Sequence, residues 1–409
     1  MQTPEPSPPA HVPAAQIGSG LGSDDPCIVR GTSYLMLAMD VAFAVDLDLA
    51  QAILARGVVD GAGRAGQAVA GASTPERVQL PHGRKSPPYF EFKPAPLRVT
   101  LPGAPIRLGM GDSEPCVATE GPVEVVIFDF GAVSLTYRVP IGGPLSGLVG
   151  VGELLVDNPV IVADAAARVR QLLALIGPAL TRASVEGGVE DYLVHHVQAL
   201  EGYAAPGHVQ ETHGPLLARI LRAEREEMSR QEMSEALEAR ASYRPGDAAL
   251  IDWYAAVVLD SEGEDVRAVL EFANVEALEM RLLDDRLDAD LEKAYATVQR
   301  PPRMLSLLPA RASQLRKVAA WQADSAQLYE SVNNALKLIG DQYLARVYKL
   351  ASDRFHLPER DTTIERKLGI IQDLYEKLHD HQSNLRMEVL EWLIVLLTII
   401  SIWPLVRGD

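Results

Sequence analysis

Chemistry needs side chains of the right kind within reach of one another, and a few stretches of this chain offer candidates. His195 and His196, with His208 and His213 nearby, are its one concentration of histidine. Two ligands on one helix need a spacing of three or four residues to share a metal, so adjacent histidines suit a metal poorly and packed or solvated imidazoles are the plainer reading. The segment Glu276–Glu292 carries seven acids and two arginines, including Asp284, Asp285, Asp288 and Asp290. Carboxylates at helical spacing can gather magnesium or calcium and support metal-dependent hydrolysis, against the competing reading of a solvated face. Asp260–Asp265 has the composition of a calcium loop, but its glycine is misplaced for an EF-hand and a turn accounts for it. Arg300, Arg303, Arg311, Arg316 and Lys317 follow one another with no acid between them. They could contact phosphate, as a lipid headgroup or as weakly bound RNA, or form a solvated linker and helix face.

Other chemistry fails on context. The glycines of GSGLGSD (18–24) follow no strand, and GGPLSGLVGVGE (142–153) lacks the GK[ST] that reaches phosphate and magnesium, so both read as flexible connections. HExxH and GxSxG are absent. Cys27 and Cys116 show no metal or redox spacing and read as reduced thiols of a cytosolic protein. No catalytic residue, metal or cofactor is assigned.

The elements that must position these residues follow from pattern and composition. The chain has 409 residues, 38 Lys plus Arg against 55 Asp plus Glu, a formal charge of −17 and 47% hydrophobic residues. That excludes a disordered chain and a disulfide scaffold, and it argues against a general nucleic-acid binder, which needs clustered positive charge. Residues 1–27, rich in Pro, Ala and Gly, predict a disordered tail without secretory or import features. A strand opening at Tyr34 and a short helix around Asp46–Ala55 come next, then a loop over Gly57–Ser73. Ten prolines between Pro75 and Pro122 leave room only for short strands, at Tyr89–Lys93 and Leu97–Leu101, before Val123–Phe130 and Ala132–Val139 form a hairpin about Gly131. Helix periods then predict helices at Val160–Gly177, Glu190–Leu200 and Gly214–Arg240, a strand at Ile251–Leu259, and a helix from Val266 to Val298.

Two apolar seams follow. Leu328, Val332, Leu336, Ile339, Tyr343, Val347 and Leu350 recur at steps of three and four, as do Leu368, Ile371, Tyr375, Leu378, Gln382, Leu385, Val389 and Trp392. Such steps keep one stripe facing a partner helix. With a loop at His356–Asp361 and a capping box at Thr362 and Glu365, they predict an antiparallel coiled-coil hairpin. Its second arm continues into WLIVLLTIISIWPLV (392–406), which contains no charge and is bracketed by Trp392 and Trp403, with Arg407 beyond. Aromatic anchors and a missing polar stripe predict a membrane helix, inserted after synthesis as a tail anchor. Glu391, adjoining the run, should lie at the interface or pair with a base.

Three stretches together carry a resemblance: IFDFGAV (127–133), LEFANVEALEMRLLDDRLD (270–288) and LEWLIVLLTII (390–400). In this order they resemble the "required for meiotic nuclear division" (RMD/Sif-type) family, a domain of unknown function. The motif positions here are Phe128, Phe130, Gly131 and Val133, then Leu390, Glu391 and Trp392. The resemblance implies a membrane-associated protein with one helix near the C-terminus and carries over no catalytic residue or cofactor. Eukaryotic relatives are linked to mitochondria, one of them to translation at the inner membrane, or to meiosis. Family members often carry an acid inside the apolar helix where this chain has Ser401. The composition and the missing import signal fit a bacterial member.

The expectation is therefore an α+β protein in which a small mixed or antiparallel sheet packs with helices, followed by a long C-terminal helical hairpin ending in a single transmembrane helix. Its segments are a tail at 1–27, an α+β domain at 28–300, a hairpin stalk at 301–386 and a membrane helix at 387–406. Its expected role is a non-enzymatic scaffold tethered to the membrane, with the bulk on the cytoplasmic side and a protein partner or further copies of itself. The alternatives are a metal-dependent enzyme using residues 284–290, and a ribosome- or RNA-contacting tether using Arg300–Lys317.

Overall fold

The computed structural model of the chain describes residues 15–16, 25–59, 72–78, 90–92, 94–109, 117–184, 188–299, 319–320, 323–332, 336–338 and 342–407. They divide into two units, Met1–Glu279 with Val332–Pro358, and Met280–Ser331 with Glu359–Asp409. In chain order the strands are β1 (Ala15–Gln16), β2 (Cys27–Asp40), β3 (Ala42–Val45), β4 (Glu76–Arg77), β5 (Phe90–Phe92), β6 (Leu97–Leu101), β7 (Arg107–Leu108) and β8 (Val117–Ala118). There follow β9 (Val123–Ile127), β10 (Ala132–Pro144), β11 (Leu180–Ala183), β12 (Val189–Leu200), β13 (Arg240–Ala241), β14 (Ala248–Ile251), β15 (Ala255–Leu259) and β16 (Leu336–Leu338). The helices are α1 (Leu47–Val59), α2 (Leu148–Leu155), α3 (Pro159–Ile176), α4 (Gly214–Arg222), α5 (Arg230–Ala236), α6 (Glu264–Gln299), α7 (323–332), α8 (Gln342–Arg354) and α9 (Leu357–Arg407).

The first unit is built on a ten-stranded sheet in the order β13-β14-β15-β12-β2-β10-β9-β6-β4, with β1 beside β10. Only β12–β15 and β1–β10 are parallel, so the expected mixed sheet is present but is far from small. The expected hairpin is β9–β10, with Val133 opposite Ile127. Alternation along the strands sorts side chains to two faces. On one, Leu35, Leu135, Leu193 and Val257 pack with α2, α3 and α4. On the other, Tyr34, Met36, Tyr192, Val194 and Val258 pack with Val266, Val269 and Leu270 of α6 and with Tyr343, Leu344, Val347 and Ala351 of α8. α3 shows the local logic. The Asn158 side chain accepts from the amides of Val160 and Ile161, Pro159 fills the first turn, and Ile161, Ala165, Val169, Leu172 and Ile176 form the buried stripe.

Four expectations are corrected. Glu190–Leu200 belongs to strand β12, not a helix; the strand lies between β2 and β15 with both faces covered, so its apolar run lacks the alternation that marks a half-exposed strand. Gly214–Arg240 is two helices, broken where Ala223 takes a left-handed conformation (φ 47°) and restarted by the Ser229 cap. The strand expected at Ile251–Leu259 is the hairpin β14–β15, turning at Asp252–Tyr254. Within the expected tail, β1 pairs with β10 and Asp25 accepts hydrogen bonds from Ser146; residues 1–14 and 17–24 lie outside the described residues.

The expected hairpin stalk is also corrected. Leu336, placed in its first seam, lies in β16, which pairs with β5. Tyr343 and Val347 of the same seam face the sheet from α8. Only Phe355 and His356, the latter at φ 56°, separate α8 from α9, so Thr362 and Glu365 lie inside a helix rather than capping one. A sheet face wide enough to need two helices takes the first seam that a partner helix was expected to cover. In the second unit, Leu283 and Leu287 of α6, Leu328 of α7 and Ile364, Ile371 and Leu374 of α9 are buried.

Candidate functional site

Among the described residues of the first unit, a group of charged and polar side chains forms a seam between the sheet and α6. Glu264, Arg267, Glu271 and Asn274 stand at steps of three, four and three on one face of the helix. Opposite them, alternation places Tyr34, Ser134, Thr136, Arg138, Glu124 and Arg98 on the matching sheet face. Arg267, 3% exposed, holds Glu264 at 2.9 Å, Glu124 at 3.1 Å and Glu271 at 3.3 Å. Arg138 at 3.1 Å and Arg98 at 3.6 Å also reach Glu124, while Ser134 and Thr136 donate to Glu271 at 2.7 and 3.2 Å. Burial opposes charge on Arg267, but the carboxylates of Glu271, Glu124 and Glu264 override it and raise its pKa. Burial, then Glu264 at its hydroxyl, pushes Tyr34 up to about 12. Against the upward push of burial, Arg267 and the Tyr34 hydroxyl hold Glu264 below its usual range. Three arginines meet three carboxylates, and every carboxylate is engaged by a protein donor. The seam joins α6 to the sheet through Arg267 and Glu271. Among the sequence expectations it had no place, although polar residues repeating along the core side of α6 were its visible signal.

The histidine cluster does not converge. His195 and His196 point to opposite faces of β12. Ser33 Oγ lies 2.7 Å from His195 Nδ1, a nucleophile–base distance, but both residues are 0% exposed and closed to any substrate. Burial pushes His195 down to about 3 and His196 to about 4, so both are neutral. Neutral His196 donates from Nε2 to the Asp260 carbonyl at 2.8 Å, directly beneath Gly263, where an added Cβ would meet the ring. His213 is held by Thr212 and Tyr203, and His208 sits in a separate helical turn. Among the described residues no three His, Cys, Asp or Glu side chains are placed to hold a metal ion.

The acidic helix converges on a cation of the protein itself. Lys367 of α9 lies 2.6 Å from both Asp284 and Asp288 of α6, and Asp290 pairs with Lys293 at 2.9 Å. Burial works against the Lys367 charge, but its hydrogen bonds to the two aspartates raise its pKa. Asp285 is exposed. Arg300, Arg303, Arg311, Arg316, Lys317 and Cys116 lie outside the described residues, as does the whole of GSGLGSD. The glycines at 142–153, expected as a connection, end β10 and enter α2, where Leu148, Val149 and Val151 are core residues. Asp260–Gly263 bends into α6, which takes in Glu264 and Asp265, with the Glu262 amide donating to Asp260.

The motif residues pack. Phe128 stacks on Phe130 at 5.2 Å and meets Phe272 of α6 at 6.1 Å, and Val133 is fully buried. Gly131 has φ 99°, and its carbonyl accepts from the amides of Val41 and Ala42; an added Cβ would run into the Ala42 carbonyl oxygen. Asp252, 0% exposed at the β14–β15 turn, is held by Arg222 of α4 at 2.8 Å, with Arg354 of α8 3.8 Å away, so it ties the helices of both faces to the sheet. On α9 the Leu390 side chain lies outside the described residues, Glu391 is exposed and Trp392 is 68% exposed.

From Trp392 to Ile399 every residue is exposed: Leu393, Ile394, Val395, Leu396 and Leu397 range from 46% to 62%, and Ile399 is at 55%. At 3.6 residues per turn, six consecutive positions cover the whole circumference, so no side of this stretch of the helix is packed. Thr398 donates to the Ile394 carbonyl at 2.7 Å and leaves no donor to satisfy. Among the described residues no single helix is long and apolar enough to cross a membrane. The bent pair Leu145–Leu155 and Pro159–Ala179 meets that criterion by composition, but its apolar residues fill the core of the first unit.

Comparison with known proteins places the chain differently from the resemblance drawn above. Residues 30–265, more than half of the chain, match the family described as "Uncharacterized protein MJ0711, N-terminal domain". The protein called Uncharacterized protein MJ0711, from Methanocaldococcus jannaschii, is 25% identical over 203 residues, covering 49% of this chain and 62% of that protein. No solved structure matches. The resemblance to the meiotic-nuclear-division family is thus overturned. Its three short motifs are a glycine hairpin, an amphipathic helix and an apolar helix end, patterns that packing and turn geometry impose on many chains. The relative is archaeal, which gives the expected bacterial origin no support. The chain belongs to the MJ0711 N-terminal-domain family.

Proposed function

We propose that this protein is a non-enzymatic docking protein tethered to a membrane by the end of α9. The observation that carries the reading is the exposure of Trp392–Leu397 and Ile399 on all sides of the helix. A helix that packs in a groove or a coiled coil presents one apolar stripe and keeps a polar back, whereas a helix apolar all round needs an apolar surrounding. The body supports the non-enzymatic part, because among the described residues the concentrations of charge are spent on the Arg267 seam, on Asp252 and on Lys367. A body on the cytoplasmic side, gathering a protein partner or further copies of the chain, completes the reading. Full-length protein mixed with lipid vesicles should float with them and survive a carbonate wash, and Ile394→Asp with Leu397→Asp should release it. Recovery of the unsubstituted protein in the soluble fraction would overturn the proposal.

A further inference from the structure

The same helix end specifies the bilayer, and this step rests on the tethering just proposed. We infer that the apolar run of α9 is matched to a thin bilayer, with a hydrocarbon layer several ångström below the usual thickness. The run is bounded by charge on both sides, by Glu391 before Trp392 and by Arg407 after Val406. α9 is helical without a break from Leu357 to Arg407, so helical rise fixes the length between those charges. At about 1.5 Å per residue, residues 392–406 reach roughly 22 Å. A typical hydrocarbon core is about 30 Å, and a thin one such as that of the endoplasmic reticulum about 27 Å.

The shortfall cannot be absorbed by the helix. Tilting shortens the span and suits only runs that are too long. At the first boundary Glu391 is exposed, and Glu388 stands one turn earlier in the sequence. A carboxylate on a short stem cannot reach far back to water, so the acids set a sharp limit. At the second boundary the long stem of Arg407 can recover a few ångström, which brings the span near 25 Å. Thr398, spending its hydroxyl on Ile394, adds no polar cost within the run. The remaining mismatch falls on the lipid, which must thin around the helix or be thin already.

The test uses full-length protein and phosphatidylcholine vesicles with dimyristoleoyl, dioleoyl or dierucoyl chains, read by flotation. Partition into the thinnest vesicles should exceed that into the thickest by about tenfold or more, as the mismatch cost accumulates over the added thickness. A variant lengthened by about one helical turn of leucines after Ile399 should shift the preference to thicker vesicles. Equal partition of the natural chain into all three, or a preference that the lengthened variant leaves unmoved, would overturn the match to thin lipid while leaving the tether standing. Failure to bind any of the vesicles would overturn the tether itself.

Discussion

Replacing Arg267 by methionine should be among the most damaging single changes in the first unit. The magnitude follows from what each partner keeps. Glu264 is about half exposed, so water replaces much of what it loses. Glu124 retains Arg138 at 3.1 Å and Arg98 at 3.6 Å. Glu271 retains only the hydroxyls of Ser134 and Thr136, two neutral donors for a buried carboxylate. The cost is then essentially that of one orphaned buried charge, about 3–5 kcal/mol. Changing Glu271 to glutamine in the same chain removes that orphan, and the double variant should recover about 2 kcal/mol or more of the loss. Urea unfolding of the full-length protein, followed by circular dichroism, measures both. A loss below about 1 kcal/mol for Arg267→Met, or a double variant no more stable than the single one, would refute the assignment of the seam as the clamp on α6.

Acidification supplies a second test. His195 and His196 have folded pKa values of about 3 and 4 against 6.5 when free. Above pH 6.5 both are neutral folded or unfolded and cost nothing; below it the unfolded chain takes up protons that the folded one refuses. Stability should fall by about 2 kcal/mol per histidine between pH 6.5 and pH 5, and His195→Gln should remove roughly half of that slope in urea titrations. Millimolar magnesium or calcium should not raise the melting temperature, because Asp284 and Asp288 already hold Lys367; Lys367→Met should cost about 1–2 kcal/mol and make the protein respond to those ions. Gly131→Ala should destabilise by about 2 kcal/mol or more in thermal melts, through its φ of 99° and the Ala42 carbonyl.

What was legible in the sequence follows the range over which each signal acts. The turn at Gly131, the helix α3 and the long helix α6 are local patterns, and all three appear within a few residues of where spacing puts them. β12 was illegible because burial on both faces erases alternation, leaving VEDYLVHHVQAL open to a helical reading. Heptad steps from Leu328 to Leu350 mark an apolar stripe without saying what covers it, and for Tyr343 and Val347 the cover is the sheet. The acids of α6 look like a solvated face or a metal site until Lys367, about eighty residues further on, is seen between them. Arg267 stayed hidden for the same reason, since its partner Glu124 lies 143 residues earlier, in strand β9.

The pairing of buried charges also bears on how the chain can meet a membrane. In the seam, Arg98, Arg138 and Arg267 cancel Glu124, Glu264 and Glu271, and Lys367 offsets one of the two aspartates it holds. The formal charge of −17 is therefore carried almost wholly by groups outside these clusters. Anionic headgroups repel such a body, and a basic surface patch strong enough to reverse that would have to outweigh the whole excess. Attraction to lipid has to come from apolar surface instead, and the described residues expose it continuously in one place, along Trp392–Leu397 and Ile399. Because that attraction is hydrophobic, it is governed by length and exposed area, which is why the thickness of the bilayer rather than the charge of its headgroups is the variable to which this chain should respond.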